Sequence, residues 1–250
     1  GTITAHGNYV GGIVGKLDTN SITNCSSGLN ISLSVTDSSG SGENGNTVTQ
    51  SNTGGIVGGF ENSSYASVSQ CAYSGTITTS GTGAFINLGG IVGIAGTISN
   101  CTTSGAINMA GGRMENVGGI AGRVYSSTTN CISNMSITLN SNANKYGISN
   151  IQYVGGLVGN GVTITNCTTN GTITASASNS FDSYYAQINY VGGLVGTAYT
   201  ISSSSASGAI NIKSGKSAQY VGGIAGYLRN GVNKSYSTMN LSLIHISEPT

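Results

Sequence analysis

Five cysteines are the first residues in this sequence that could do chemistry: Cys25, Cys71, Cys101, Cys131 and Cys167. They fall in one slot of a repeating unit, and Ser204 and Ser235 fill that slot in the last two copies. A thiolate can attack, ligate a metal or form a disulfide, so each use must be weighed against spacing. No Cys-x-x-Cys and no paired histidine accompanies them, which removes the zinc pattern. Thiols stacked on neighbouring parallel strands also sit wider apart than the ~3.8 Å that a disulfide prefers between Cβ atoms. Exchange for serine in two copies points instead to a column of small buried groups. The thiols are read as structural, and no metal or cofactor is expected.

The remaining chemistry is sparse. Asp18, Asp37, Glu43, Glu61, Glu115 and Asp182 fall in different slots of different copies, and His6 stands alone near the start. Polysaccharide cleavage on a solenoid needs carboxylates gathered on adjacent rungs for proton transfer, and no slot gathers them. The glycine-rich copies lack the Asp of the calcium-binding nonapeptide. The stretch GGIVGG at 54–59 lacks the Lys-Ser/Thr of a phosphate loop. The segment is expected not to be an enzyme.

What must position these residues is a repeat. A doublet of glycines recurs seven times, as in VGGIVG at 10–15, LGGIVG at 88–93 and VGGLVG at 154–159 and 191–196. Three residues before the cysteine slot stand Ile22, Val68, Ile98, Thr128, Ile164, Ile201 and Val232. Six residues after it stand Ile31, Ile77, Ile107, Ile137, Ile173 and Ile210. Each copy thus reads as three apolar-bearing segments: φ-G-G-(I/L)-(V/A)-G, T-I-T-N-C and G-T-I-T. Thr, Ile and Val favour strands, and segments this short cannot be useful helices. In G-T-I-T the Ile takes one parity and the Thr the other, so Ile should point inward. The Gly pair is read as a bend or a close backbone approach.

The expected fold is all-β: a right-handed parallel β-helix, or β-solenoid, of about seven rungs with three short strands each. Tyr9, Tyr153, Tyr190 and Tyr220 share the slot before φ-G-G with Asn52, Asn87 and Asn116. Stacked Tyr and Asn ladders stabilise parallel sheets, and the tyrosines could also stack on a glycan.

Composition fits this picture. Charged residues are 6% of the chain, against about 25% in ordinary domains. The net charge of +1 offers no basic surface, so nucleic acid is not an expected partner. No apolar run approaches the ~18–20 residues of a membrane span, so no membrane insertion is expected either.

Length variation concentrates between the Ile of G-T-I-T and the next Gly-Gly. The longest such stretches, residues 33–52, 138–152 and 174–189, should leave one corner of the coil as loops and line one edge, where repeat proteins place recognition. Tyr146 in the second, and Phe181, Asp182, Tyr184 and Tyr185 in the third, are the candidate ligand contacts. The partner expected there is a host or matrix protein or a glycan.

With these residues in place, the unit φ-G-G-(I/L)-(V/A)-G plus x-I-x-N-C-x-x-x-G-x-I resembles the GLUG motif. Gly156-Leu157-Val158-Gly159 and Gly193-Leu194-Val195-Gly196 carry its Gly-Leu-x-Gly core. That resemblance covers residues 1 to about 240. It implies large bacterial cell-surface or secreted proteins, among them adhesins and the non-catalytic regions of IgA-cleaving metallopeptidases. The His-Glu-x-x-His of such peptidases does not occur, so protease activity does not carry over.

The expected role is a non-catalytic structural or adhesive repeat segment, extracellular or on the cell surface. The alternative is an accessory region of a secreted hydrolase. Gly1–Ala5 repeats the letters of Gly171–Ala175, so the chain is expected to open within an earlier rung. Residues 241–250, LSLIHISEPT, carry the only proline and resemble a translated sequencing adapter. They are set aside, which leaves residues 1–240 as one solenoid open at both ends.

Overall fold

A computed structural model describes residues 1–35, 49–142, 148–178, 185–215 and 217–245. Every regular element among them is a β-strand, every pairing is parallel, and the strands form three sheets. No helix among the described residues is long and apolar enough to cross a membrane.

The first sheet has seven strands, one from each Gly-Gly copy, stacked in chain order. They are Val10–Gly11, Thr49–Gly54, Ala84–Gly89, Arg113–Gly118, Ile148–Gly155, Tyr185–Gly192 and Ser217–Gly222. Equivalent letters pair directly, so Val10, Thr53, Leu88, Val117, Val154, Val191 and Val221 form one column. The second sheet takes the chain after Gly-Gly, as in Val92–Ser99 and Val195–Ser202. The third takes the chain after the thiol slot, as in Thr102–Gly111 and Ile132–Asn142. The chain is a parallel β-solenoid.

Side-chain parity explains the core. Ile31, Ile77, Ile107, Ile137, Ile173 and Ile210 pair in register on the third sheet and are all buried. Ile22, Val68, Ile98, Thr128, Ile164 and Ile201 form the matching column on the second sheet. Two aliphatic columns facing one another bury what no single turn of chain could bury alone.

The corners fall elsewhere than the three-segment reading predicts. T-I-T-N-C is not one strand: its T-I-T ends the second sheet, the Asn turns, and the residues after the Cys start the third. In four copies the first and second segments fuse into single strands, Val92–Ser99 and Val195–Ser202 of eight residues and Ala121–Thr129 and Ala225–Asn233 of nine; the register shifts opposite Ala95–Thr97 and Ala198–Thr200, where the nine-residue partner carries one extra residue. A bulge absorbs the uneven spacing without ending the strand.

The long stretches are also more regular than expected. Asn30–Val35 and Thr49–Gly54, Ile132–Asn142 and Ile148–Gly155, and Thr172–Ser178 and Tyr185–Gly192 extend into them from both sides. In each case the described flank before the stretch belongs to the third sheet and the one after it to the first. At the chain's end, Tyr236–His245 pairs with Ser205–Ser214, with Leu241 opposite Ile210.

Candidate functional site

Of the contacts proposed from sequence, Tyr146, Phe181, Asp182 and Tyr184 lie outside the described residues. Tyr185 opens a strand of the first sheet, its backbone paired with Ile148.

The thiols stand where the repeat puts them. Cys71, Cys101, Cys131 and Cys167 are buried, Cys25 is half-buried, and all five are free. Each donates to the carbonyl two residues earlier: Cys71 to Ser69 at 3.2 Å, Cys101 to Ser99 at 3.3 Å, Cys131 to Thr129 at 3.3 Å and Cys167 to Thr165 at 3.2 Å. Ser204 and Ser235 make the same bond, to Ser202 at 2.8 Å and Asn233 at 2.9 Å. In the last copies the slot atom also accepts from the amide one rung back: Cys167 from Cys131 N (3.4 Å), Ser204 from Cys167 N (3.0 Å) and Ser235 from Ser204 N (3.0 Å). The slot needs a small donor and acceptor, which a thiol and a hydroxyl both supply. Hydrogen bonding along the column shifts alternate thiols in opposite directions: Cys71 and Cys131 are pushed up by hydrogen bonding to Cys101 (Cys131 also by Cys167), and Cys101 and Cys167 are lowered by hydrogen bonding to Cys131 (Cys101 also by Cys71). No group of three His, Cys, Asp or Glu among the described residues could hold a metal.

Two left-handed rows frame each turn. The residue before φ-G-G has positive φ in all seven copies: Tyr9, Asn52, Asn87, Asn116, Tyr153, Tyr190 and Tyr220. So does the residue before the thiol slot: Asn24, Gln70, Asn100, Asn130, Asn166, Ser203 and Lys234. Asn tolerates this region better than most residues because its short polar side chain bonds locally. The letters Asn-Cys therefore carried a turn signal that strand-based reading overlooked.

The first row forms a ladder. Asn87 donates to Asn52 and Asn116 to Asn87, each at 2.9 Å. From Tyr153 onward the amides give way to rings, stacked at 5.0 Å between Tyr153 and Tyr190 and 4.9 Å between Tyr190 and Tyr220. Tyr227 meets both later rings edge-on at 6.1 and 6.2 Å.

These rings border the outer face of the second sheet. Outward parity there runs from the residue after the third Gly: Ile94, Arg123, Asn160, Thr197 and Tyr227 form one column. Two residues on lie Tyr125, Val162, Tyr199 and Arg229. Arg123, Tyr153, Asn160, Thr197, Tyr199 and Arg229 line a cleft of about 380 Å³. Arg123 lies over the Tyr125 ring, 4.9 Å from its centroid. Tyr199 is 51% exposed and Tyr227 44%. Sequence reasoning missed this cluster, although its parity after the third Gly was visible.

A further cavity, about 330 Å³ on the third sheet, is lined mainly by small Ser, Thr and Gly residues and by Tyr73. The Tyr73 hydroxyl donates to Leu29 O at 2.9 Å, and burial pushes its pKa up to about 12.

The geometry defines a class first: a non-helical scaffold of stacked glycine-rich turns. The GLUG motif family model matches residues 6–32, the stretch spanning the first Gly-Gly and the first cysteine. The first turn thus carries the GLUG motif, and the same letters recur in register through the later turns, as a repeat of that motif would. No curated protein and no solved structure matches it.

Proposed function

We propose that this chain is a non-catalytic, adhesive repeat segment of a large bacterial cell-surface or secreted protein, carrying its contacts on exposed edges of the coil. The observation that supports it best is the unbroken register from Val10 to Val221. The groups most able to do chemistry are spent within that register, the thiols on carbonyls and amides of the turns. Scaffolds built this way present long surfaces rather than enclosed reaction sites.

The test immobilises the full chain and measures capture of host cells and of purified matrix proteins and glycans. Saturable capture is expected. Absence of capture across the panel, or turnover of an offered polysaccharide or protein, would overturn the proposal.

A further inference from the structure

We infer that the cleft on the outer face of the second sheet binds a carboxylated saccharide; this deepens the adhesive reading above and places the contact away from the variable corner. Three features meet there. First, Arg123 and Arg229 face one cleft, and neither forms an ion pair among the described residues. Two other cations meet acids: Lys16 pairs with Glu61, and Arg113 pairs with Glu115 beside the Tyr153 wall of the cleft, where the acid is already matched by its own partner. A guanidinium offers a planar fork of donors that matches a carboxylate in two parallel hydrogen bonds.

Second, the walls are aromatic and held. Tyr153 stacks on Tyr190, which stacks in turn on Tyr220; Arg123 is held over Tyr125, and Tyr199 keeps half its surface open. A fixed ring edge or face beside a charge suits a sugar, whose C–H surface is apolar and whose rim is polar. Third, Asn160 and Thr197 bring an amide and a hydroxyl to the same cleft, the donor and acceptor types that sugar hydroxyls need. The volume of about 380 Å³ falls within the ~300–1,000 Å³ range of small-molecule sites and fits a short saccharide.

Charge argues against a polyanion as long as nucleic acid. The whole chain carries only +1, and the outward column holding Arg123 continues with Asn160, Thr197 and Tyr227 rather than with further cations. Two guanidiniums set among tyrosines suit a short ligand with a few acidic groups, two of them paired at a time. Uronic and sialic acids share that chemistry.

The experiment is calorimetric titration of the full chain with trigalacturonate, with its methyl ester, and with sialyllactose. Binding is expected for at least one of the two acids. For trigalacturonate, binding should weaken about tenfold or more on esterification, since a charge-assisted bidentate contact is lost. Arg229→Gln, at an exposed position, and Arg123→Gln should each weaken binding about tenfold at unchanged melting temperature, and Tyr199→Ser should do the same.

Failure of both acids to bind overturns the inference. So does ester binding equal to that of the acid, or binding that survives both arginine variants. Host or matrix capture that persists while no acid binds would sink this site and leave the adhesive reading standing. Saccharide binding without any capture would do the reverse.

Discussion

At the corner before Gly-Gly and at the corner before the thiol, the chain turns on a residue of positive φ in every copy. Yet the two corners differ in what may follow the turn. After the first come three glycine columns with no room for a side chain. A Cβ on Gly118 would meet the Ala121 carbonyl and lie 2.7 Å from Gly159 N. One on Gly119 would strike Ser133 and the Gly156 carbonyl, and one on Gly93 would lie 2.6 Å from the Asn52 Cα. After the second corner comes a buried slot that accepts sulfur or oxygen, provided the atom can donate to the carbonyl two residues back. One corner is governed by backbone closeness, the other by a hydrogen bond. The first should fail under any enlargement, and the second only when its donor is lost.

The largest effect is expected from Gly118→Ala. The clash is with backbone of its own turn and of the next, which cannot move without breaking the register of both. Overpacking typically costs about 1–3 kcal/mol where side chains can shift; against fixed backbone the loss should exceed that. Chemical denaturation followed by circular dichroism would measure it. A Gly118→Ala protein as stable as the parent would mean that this corner can open, and the contrast between the corners would be lost.

The thiol slot supplies the complementary test. Cys131→Ala removes both the donor to Thr129 O and the buried sulfur, and should cost about 1–3 kcal/mol. Cys131→Ser keeps the donor that Ser204 already supplies two turns further along the same column, and should cost roughly half as much or less. Equal losses for the two variants would show that volume, not the hydrogen bond, governs the second corner.

This contrast explains how far the letters could be read. The inward parity of Ile77, Ile107 and Ile137 followed from strand period, and the register followed from the recurrence of equivalent letters. The thiols were legible as structural because serine replaces them in the last two copies. The turn at Asn24, Asn100, Asn130 and Asn166 was not, because Asn is frequent throughout this chain and a left-handed backbone has no letter of its own. The fusion of two segments through the Ala95–Thr97 bulge was hidden for a similar reason: glycine spacing alone does not separate a bulge from a chain break. The Arg123–Arg229 cleft escaped because its members come from four copies and only one of them, Tyr153, sits in a slot with an evident pattern. Attention went instead to stretches of variable length, most of whose candidate contacts fall outside the described residues.

The smallest effect, and one of opposite sign, is expected at Thr128. It occupies the aliphatic column between Ile98 and Ile164, fully buried, three residues before the thiol slot. Its hydroxyl oxygen has no hydrogen-bond partner, while its neighbour Cys167 uses the Thr128 carbonyl rather than the side chain. An unpaired buried hydroxyl costs about 1–3 kcal/mol, and valine has nearly the same shape without it. Thr128→Val should therefore stabilise the solenoid by about 1 kcal/mol, raising the denaturation midpoint at unchanged slope. If it destabilises instead, the hydroxyl must have a partner, and side-chain hydrogen bonding would extend beyond the thiol slot into the strand leading up to it. That outcome would widen the region governed by side chains and sharpen its contrast with the glycine corner, where no side chain fits at all.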